Sequence, residues 1–381
     1  MHIIVLEQEP SSRRGGQEVV LFDFCRGLSQ RGHSISLLYT QEGNLLKQYQ
    51  EFCTHVVKVN LFTVYRKPYI FRFLGDIWRT AGKIPTTKDS IVLSNQYQDS
   101  LFGRALALYK SLPFVCYLHI LPPKIPPSTF VEWQWLVGLK GVKQFIAVSN
   151  QTKLEWVKSG FSELKIDLVY NGIDLEVYKT SSNFSITRKE WNIPEDTRVV
   201  SYIGRLDREK GLETLIRAFA RLLKTGTNTK LLIAGKTVLQ GEEYKKSLEQ
   251  LVTDLGIEKY VSFLGHVSNT TSVYQVSDVT VLASRWPDPF PRAIIESMAC
   301  GTPVVASRIG GIPENLTGEF QNGLFESENE QDLADTLNRI INWRDKNPQL
   351  GERCREHVLS KFTIEKMVDG IEKVLLKVVK Q

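Results

Sequence analysis

Asp288 and Glu296 stand eight positions apart in "SRWPDPFPRAIIESMACGTPVVA", residues 284–306, where a strand-like run passes through a proline-rich loop into a helix. Carboxylates in such a loop can accept hydrogen bonds from the hydroxyls of a ribose or a hexose. A second stretch, "YIGRLDREKGLETLI", ends a strand at Gly204 and Arg205 and sets Lys210 just before or within the first turn of a helix. Cations at the positive end of a helix oppose its dipole, so local stability does not account for them, whereas a bound anion would. Arg205 offers a forked pair of donors and Lys210 a point charge, a combination that stabilises negative charge growing on a diphosphate leaving group. Each residue also has a local reading. Asp288 before Pro289 is the pattern of a helix N-cap with proline at the first helical position. Glu296 shares a helix face with Arg292, as a solvated pair would, and Arg205 and Lys210 read locally as solvated surface cations. Together the four fit a nucleotide sugar, carboxylates on its hydroxyls and cations on its diphosphate.

Two further places carry candidate chemistry. In "EQEPSSRRGGQEVVLFDFCRGLSQRG", Gly15 and Gly16 precede an amphipathic helix and leave its first N–H groups open to a phosphate or a sugar. A plain flexible loop reads equally well there. The stretch is not the dinucleotide fingerprint: GxGxxG is missing, and the second strand ends "LLYT" with no acid to hold a ribose, which removes the main support for a dehydrogenase. His119 closes the strand-like run "PFVCYLHI" at its carboxyl end, the row where open α/β sheets bind ligands. A lone histidine at a strand end is more often structural. His2, His33, His55 and His357 have no supporting neighbours.

The elements that must position these residues are legible as alternation. The runs "HIIVL", "SISLLYT", "THVVKV", "SIVLSN", "PFVCYLHI", "QFIAVS" and "KIDLVYNGID" read as buried parallel strands in the first half, and "RVVSYIG", "KLLIAG", "VSFLG", "VTVLAS" and "PVVAS" in the second, with helical patterns between them. Two doubly wound α/β domains follow. The polar stretch 176–197 reads as the linker, which sets the domains at 1–180 and 181–360. A last helix, 361–381, carries Ile364, Met367, Val368, Ile371, Val374, Leu375 and Val378 as one apolar core stripe. The five cysteines are odd in number and scattered, without ligand spacing, so neither a disulfide frame nor a zinc site is expected and a reducing cytoplasm is. No signal peptide and no apolar run of membrane-spanning length is seen. A net charge of +6 over 381 residues is too dilute for nucleic acid and leaves small anionic partners or acidic lipid.

"YIGRLDREKG", "FLGHVSN…VYQVSDVTVLAS", "PDPFPRAIIESMACGTPVVASRIGGIPE" and "FIAVSN…YNGID" resemble the family-4 retaining glycosyltransferases, densely over 198–328 and more lightly over 1–174. The resemblance implies the GT-B fold: two facing Rossmann-like domains with an interdomain cleft, an acceptor-binding first half, a donor-binding second half and a C-terminal helix crossing back to the first. It places Arg205 and Lys210 on the diphosphate, Asp288 on the donor sugar, Glu296 on the ribose and Gly15 and Gly16 in the family's glycine loop. The base would lie near His266 and Val267, and members with a histidine at the fifth strand end place it near sugar and diphosphate, which favours a site role for His119. Two departures stand out. The acidic motif normally has two glutamates, and here Asp288, one methylene shorter, holds the first position. Pro291 replaces the usual glycine, so loop contacts to the donor fall to Arg292 and Ala293. The Gly-x-Gly expected after "KLLIAG" is also absent.

The implied reaction moves a hexose from a nucleotide diphosphate sugar to an acceptor hydroxyl with retention. UDP-glucose is the first expectation by family frequency, with guanosine and adenosine diphosphate sugars behind it. No metal or other cofactor is expected, since cations and helix N-termini neutralise the diphosphate and no DxD cluster is present. Rival readings are a nucleotide-sugar-binding protein without turnover, and an epimerase or phosphorylase on the same scaffold. Residues 61–83 interleave Phe62, Tyr65, Tyr69, Phe71, Phe73 and Trp78 with Arg66, Lys67, Arg72, Arg79 and Lys83, and "PPKIPPSTFVEWQWLVGLKG" adds Trp133 and Trp135. These suit an acceptor rim at an anionic membrane face, with a polysaccharide or lipid-linked acceptor, as readily as they suit packing under the first sheet.

Overall fold

A computed structural model describes residues 1–65, 69–180, 185–237 and 241–380. Within them the chain divides into two compact units, Met1–Gly172 with Ile364–Gln381, and Ile173–Thr363. The first boundary falls at 172/173, against 180/181 expected, and the second at 363/364, against 360/361. The reason is local pairing. Ile173 donates its N–H to Phe362 O at 3.0 Å and bridges Thr363, whereas Gly172 directs its N–H to Met367 Sδ at 3.2 Å on the terminal helix.

The first unit is built on a parallel seven-stranded sheet: β1 (His2–Glu7), β2 (Ser34–Tyr39), β3 (His55–Lys58), β4 (Ser90–Ser94), β5 (Phe114–Leu118), β6 (Gln144–Ala147) and β7 (Ile166–Leu168), in the order β3-β2-β1-β4-β5-β6-β7. Every residue of β1, β4 and β5 is buried, as continuous apolar runs covered by helices on both faces should be. The terminal helix Ile364–Val379 belongs to this unit and buries Met367, Val368, Ile371, Val374, Leu375 and Val378; Ile364 is only half-buried. Its polar side is pinned by Glu372, which takes Arg31 and His33 at 2.6 Å each, and by Asp369, 2.7 Å from Arg31.

The second unit carries β8 (Arg198–Ile203), β9 (Thr229–Ala234), β10 (Val261–Gly265), β11 (Val279–Leu282), β12 (Val304–Ser307) and β13 (Leu324–Phe325), in the order β10-β9-β8-β11-β12-β13, also parallel. Much of the stretch read as a linker is part of this unit. Residues 181–184 lie outside the described residues, but Ser185–Glu190 is helical, and Arg188 is buried because its guanidinium caps the carbonyls of Pro194 and Thr197 at 2.6 Å. Ile193 joins Val199, Leu232 and Val276 in a small core. Both sheets reverse strand order beside their first strand, between β1 and β4 and between β8 and β11, and such switch points open ligand crevices at the carboxyl ends of strands.

Candidate functional site

At the β8/β11 switch point the structure brings Lys210 and Asp288 together, while Glu296 pairs with Arg292 and Tyr274, and His266 and Val267 follow β10, two strands from β8. β8 ends at Ile203, and Tyr202 Oη donates to Arg205 O at 2.5 Å, closing the loop that follows. Arg205 Nε lies 3.2 Å from Asp207 Oδ2, a carboxylate only 1% exposed that sequence reasoning passed over although it stands two residues away. A short 3-10 turn, Arg208–Lys210, brings the chain to Gly211, which enters the helix Leu212–Leu223 with φ +64. A Cβ at Gly211 would sit 2.0 Å from Ala283 O, so only glycine lets this loop lie against the end of β11. The contact is sealed by Arg285 N–H to Glu209 O at 2.8 Å.

That junction sets Lys210 Nζ 2.6 Å from Asp288 Oδ2, with both side chains largely buried. Asp288 is not a helix cap: the helix Arg292–Ala299 takes Pro291 at its N-cap position, leaving Asp288 in the loop before it. The backbone of Asp288 is instead held by Gly310 and Gly311. Gly311 N–H donates to Asp288 O at 2.9 Å, and a Cβ on Gly310, at φ +58, would fall 2.6 Å from the same oxygen. The "GG" of "SRIGGIPE" therefore positions the first acid. Glu296 is not a solvated pair either. It is 12% exposed, accepts from Arg292 Nε at 3.1 Å and from Tyr274 Oη at 2.9 Å, and Tyr274 is fully buried. Burial, with Glu296 beside it, pushes the Tyr274 phenol well up, so it stays a donor. Ala293 is half-buried in the first turn of that helix, and His266 and Val267 follow β10, the histidine exposed and the valine half-buried.

The remaining candidates lie in the first unit. Gly15 is the N-cap of the helix Gly16–Gln30 with extended φ 179, and a Cβ there would make only an ordinary 3.4 Å contact with Glu18 Oε2. Nothing in the local packing demands glycine at 15. His119 directly follows β5, is 8% exposed, and hydrogen-bonds Asn95 at 2.9 Å, with Tyr117 at a ring distance of 4.2 Å. Burial pushes its imidazole down to about 3, so it is neutral at ordinary pH. The aromatic and basic segment divides. Phe62 and Phe73 enter the core, while Tyr65, Tyr69, Phe71 and Trp78 are exposed beside exposed Arg72, Arg79 and Lys83; Arg66 and Lys67 lie outside the described residues. Trp133 is half exposed and stacks on Phe130 at 6.0 Å, whereas Trp135 is partly buried against the core.

Comparison with known proteins decides the family. The model described as Glycosyltransferase Family 4 matches residues 14–177, and the one described as Glycosyl transferases group 1 matches 183–357. The chain belongs to the family-4 glycosyltransferases. It shares their GT-B fold and is a glycosyltransferase using a nucleotide-sugar donor. An N-acetyl-alpha-D-glucosaminyl L-malate synthase of Bacillus anthracis is 27% identical to this glycosyltransferase over 96% of its chain and 95% of the relative. A D-inositol 3-phosphate glycosyltransferase of Mycolicibacterium smegmatis is 30% identical over 54% of this chain and 46% of its own. Among solved structures, Anabaena HepE in complex with UDP and glucose superposes with a TM-score of 0.82 at 23% identity over 98% of both chains, and a Rickettsia africae glycosyltransferase with 0.86 at 20% over 100% and 99%. At these identities the structural likeness speaks to fold. Among the described residues no helix is long and apolar enough to cross a membrane.

Proposed function

We propose that this glycosyltransferase moves a hexose, with retention, from a nucleoside diphosphate sugar to a hydroxyl of a polysaccharide or lipid-linked saccharide. The observation that carries the donor reading is the Lys210–Asp288 contact at the β8/β11 switch point, a cation and an acid held by glycine-dependent backbone contacts at the carboxyl ends of adjacent strands. In the reading, Lys210 and Arg205 neutralise the diphosphate, Asp288 and the first turn at Arg292 and Ala293 meet the sugar, Glu296 takes the ribose, and the base lies by His266 and Val267. Gly15 and Gly16 are proposed to contact the donor, which suits Gly15, where local packing does not require a glycine. Neutral His119 meets the sugar through hydrogen bonds, not as a cation on phosphate.

UDP-glucose is the first donor proposed. A second, UDP-N-acetylglucosamine, is favoured by the Bacillus anthracis relative, whose name specifies N-acetylglucosaminyl transfer and which this chain matches over nearly its whole length. Titration with a panel of uridine, guanosine and adenosine diphosphate sugars, followed by product analysis with and without acceptor, tests the reading. Donor consumption that needs an acceptor supports transfer; consumption without one points to an epimerase, and consumption requiring phosphate to a phosphorylase. Binding without product leaves a nucleotide-sugar-binding protein. The reaction is proposed to need no metal, and loss of turnover in EDTA restored by Mg²⁺ would refute that part.

The proposed acceptor surface is the helix Ile70–Lys83, where exposed Phe71, Leu74 and Trp78 stand among Arg72, Arg79 and Lys83. Its opposite face buries Phe73, Ile77 and Ala81, so the outer rings are not needed for the core. Aromatic rings among cations suit an anionic membrane face, each cation contributing about 1 kcal/mol, and the proposed location is peripheral at the cytoplasmic side. Sedimentation with anionic liposomes at low and high salt tests this; no binding in either refutes it.

A further inference from the structure

His119 ends a buried polar chain that crosses the first unit's switch point. Glu7 is the last residue of β1, Asn95 follows β4 and His119 follows β5, so the three stand side by side at the carboxyl ends of adjacent strands. Asn95 Nδ2 donates to Glu7 Oε2 at 2.6 Å, and Asn95 Oδ1 faces His119 Nε2 at 2.9 Å. Glu7 and Asn95 are completely buried. Because an amide oxygen can only accept, the ring nitrogen facing it must carry the proton. The order Glu7, Asn95, His119 thus fixes one tautomer, with hydrogen on Nε2 and Nδ1 left as the ring's acceptor.

We propose that Asn95, oriented by Glu7, is a positioning residue that holds His119 as its Nε2–H tautomer, so that Nδ1 accepts a hydrogen bond from a hydroxyl of the donor sugar. This rests on the reading above that His119 meets the donor. A trio of apolar side chains would fill the same space without the desolvation that two fully buried polar residues incur, so packing alone does not explain the chain. Burial, with Glu18 next in effect, pushes the Glu7 carboxyl up to about 8. Its Oε2 accepts from the Asn95 amide either as a carboxylate oxygen or as the carbonyl oxygen of the neutral acid, so the orientation survives across neutral pH. The chain also reaches the glycine loop, since Asn95 Nδ2 lies 3.5 Å from Gln17 O in the first turn after Gly16.

The test is the ring-nitrogen NMR spectrum of the full chain carrying 15N-histidine, with the His119 signals identified by their loss in His119→Gln. The wild type is expected to show a protonated Nε2 and a bare Nδ1. Asn95→Ala is expected to give mixed tautomers. Glu7→Leu is expected to do the same, and Glu7→Gln, which can still present an oxygen to the amide, to restore the single tautomer. With donor, Asn95→Ala should lower kcat about 10-fold, the lower range for losing a partner that orients a functional histidine, while the Kd for the nucleoside diphosphate stays unchanged. A single Nε2–H tautomer persisting in both Asn95→Ala and Glu7→Leu would overturn the proposal, as would a shifted tautomer with unchanged kcat. The NMR readout needs no donor. If the tautomers shift as expected but the wild type turns over no nucleotide sugar, the positioning stands and the donor reading fails.

Discussion

Glu296→Ala separates a structural carboxylate from a binding one, because the structure lets its stability cost be worked out first. The substitution removes the acceptor of two hydrogen bonds, from Tyr274 Oη at 2.9 Å and Arg292 Nε at 3.1 Å, in a pocket where Tyr274 is fully buried and Glu296 only 12% exposed. Stranding the buried phenol costs about 1–3 kcal/mol. Removing the carboxylate from a mostly buried arginine brings the total to about 3–5 kcal/mol, the range for breaking such a pair. For a unit of this size each kcal/mol moves the midpoint by about 2–4 °C, so Tm should fall by roughly 10 °C. Glu296→Gln keeps an acceptor oxygen and should lose about half as much. Calorimetry gives the stability term, and titration of UDP well below the lowered Tm gives the binding term. If Glu296→Ala melts within about 2 °C of the wild type, the carboxylate is not held as described. If it melts early but binds UDP as tightly as the wild type, Glu296 is a structural residue and its placement on the ribose is wrong.

Gly211→Ala must relieve a 2.0 Å approach to Ala283 O from a left-handed backbone, so it is expected to cost about 3 kcal/mol or more and to lower turnover by displacing Lys210; a wild-type Tm in a melting scan would contradict the loop packing. Lys210→Ala is expected to lower kcat by about 10²–10³ in a donor-saturated assay, the usual loss for one charge-stabilising donor; an unchanged kcat would place the diphosphate elsewhere. Burial raises Glu7 to about 8 and Asp99 to about 7, so both hold a proton in the folded chain that they lose on unfolding, and their stabilisation fades as pH rises through those values. His119, lowered to about 3, acts in the opposite sense but only below its unfolded value near 6.5. Tm should therefore fall between pH 6.5 and 8.5, and less steeply in Glu7→Gln; a flat or rising profile in the wild type would count against a buried neutral Glu7.

The strands were readable because apolar runs such as "HIIVL" and "VTVLAS" are buried on both faces, which leaves a continuous local signal. Arg205 and Lys210 stand out in the sequence as cations at a helix start, but their carboxylate partners, Asp207 and Asp288, show only in the fold. Side-chain partners across the sheet were not readable. Glu7 and Asn95 are 88 residues apart and Asn95 and His119 are 24 apart, so only the strand order makes them neighbours. The local cap alternative for Asp288 fails for a related reason: Asp-Pro at 288–289 has cap chemistry, but Pro289 and Pro291 delay the helix until Arg292. The polar stretch around Arg188 reads as a linker because composition does not reveal a guanidinium sequestered by four carbonyls, those of Pro194, Glu195, Thr197 and Val276.

The first unit's discontinuity has a consequence during synthesis. Its sheet emerges from the ribosome complete at β7, yet the helix that covers part of it, with Met367, Val368, Ile371 and Leu375 facing inward, is translated only after the whole second unit. At about 5–20 residues per second the whole second unit is made in between, an interval of roughly 10–40 s in which that apolar patch has no intramolecular cover. A nascent chain stalled between β7 and residue 364 therefore presents a binding site for a holdase chaperone that the folded first unit lacks, and emergence of residues 364–381 is the step that closes it.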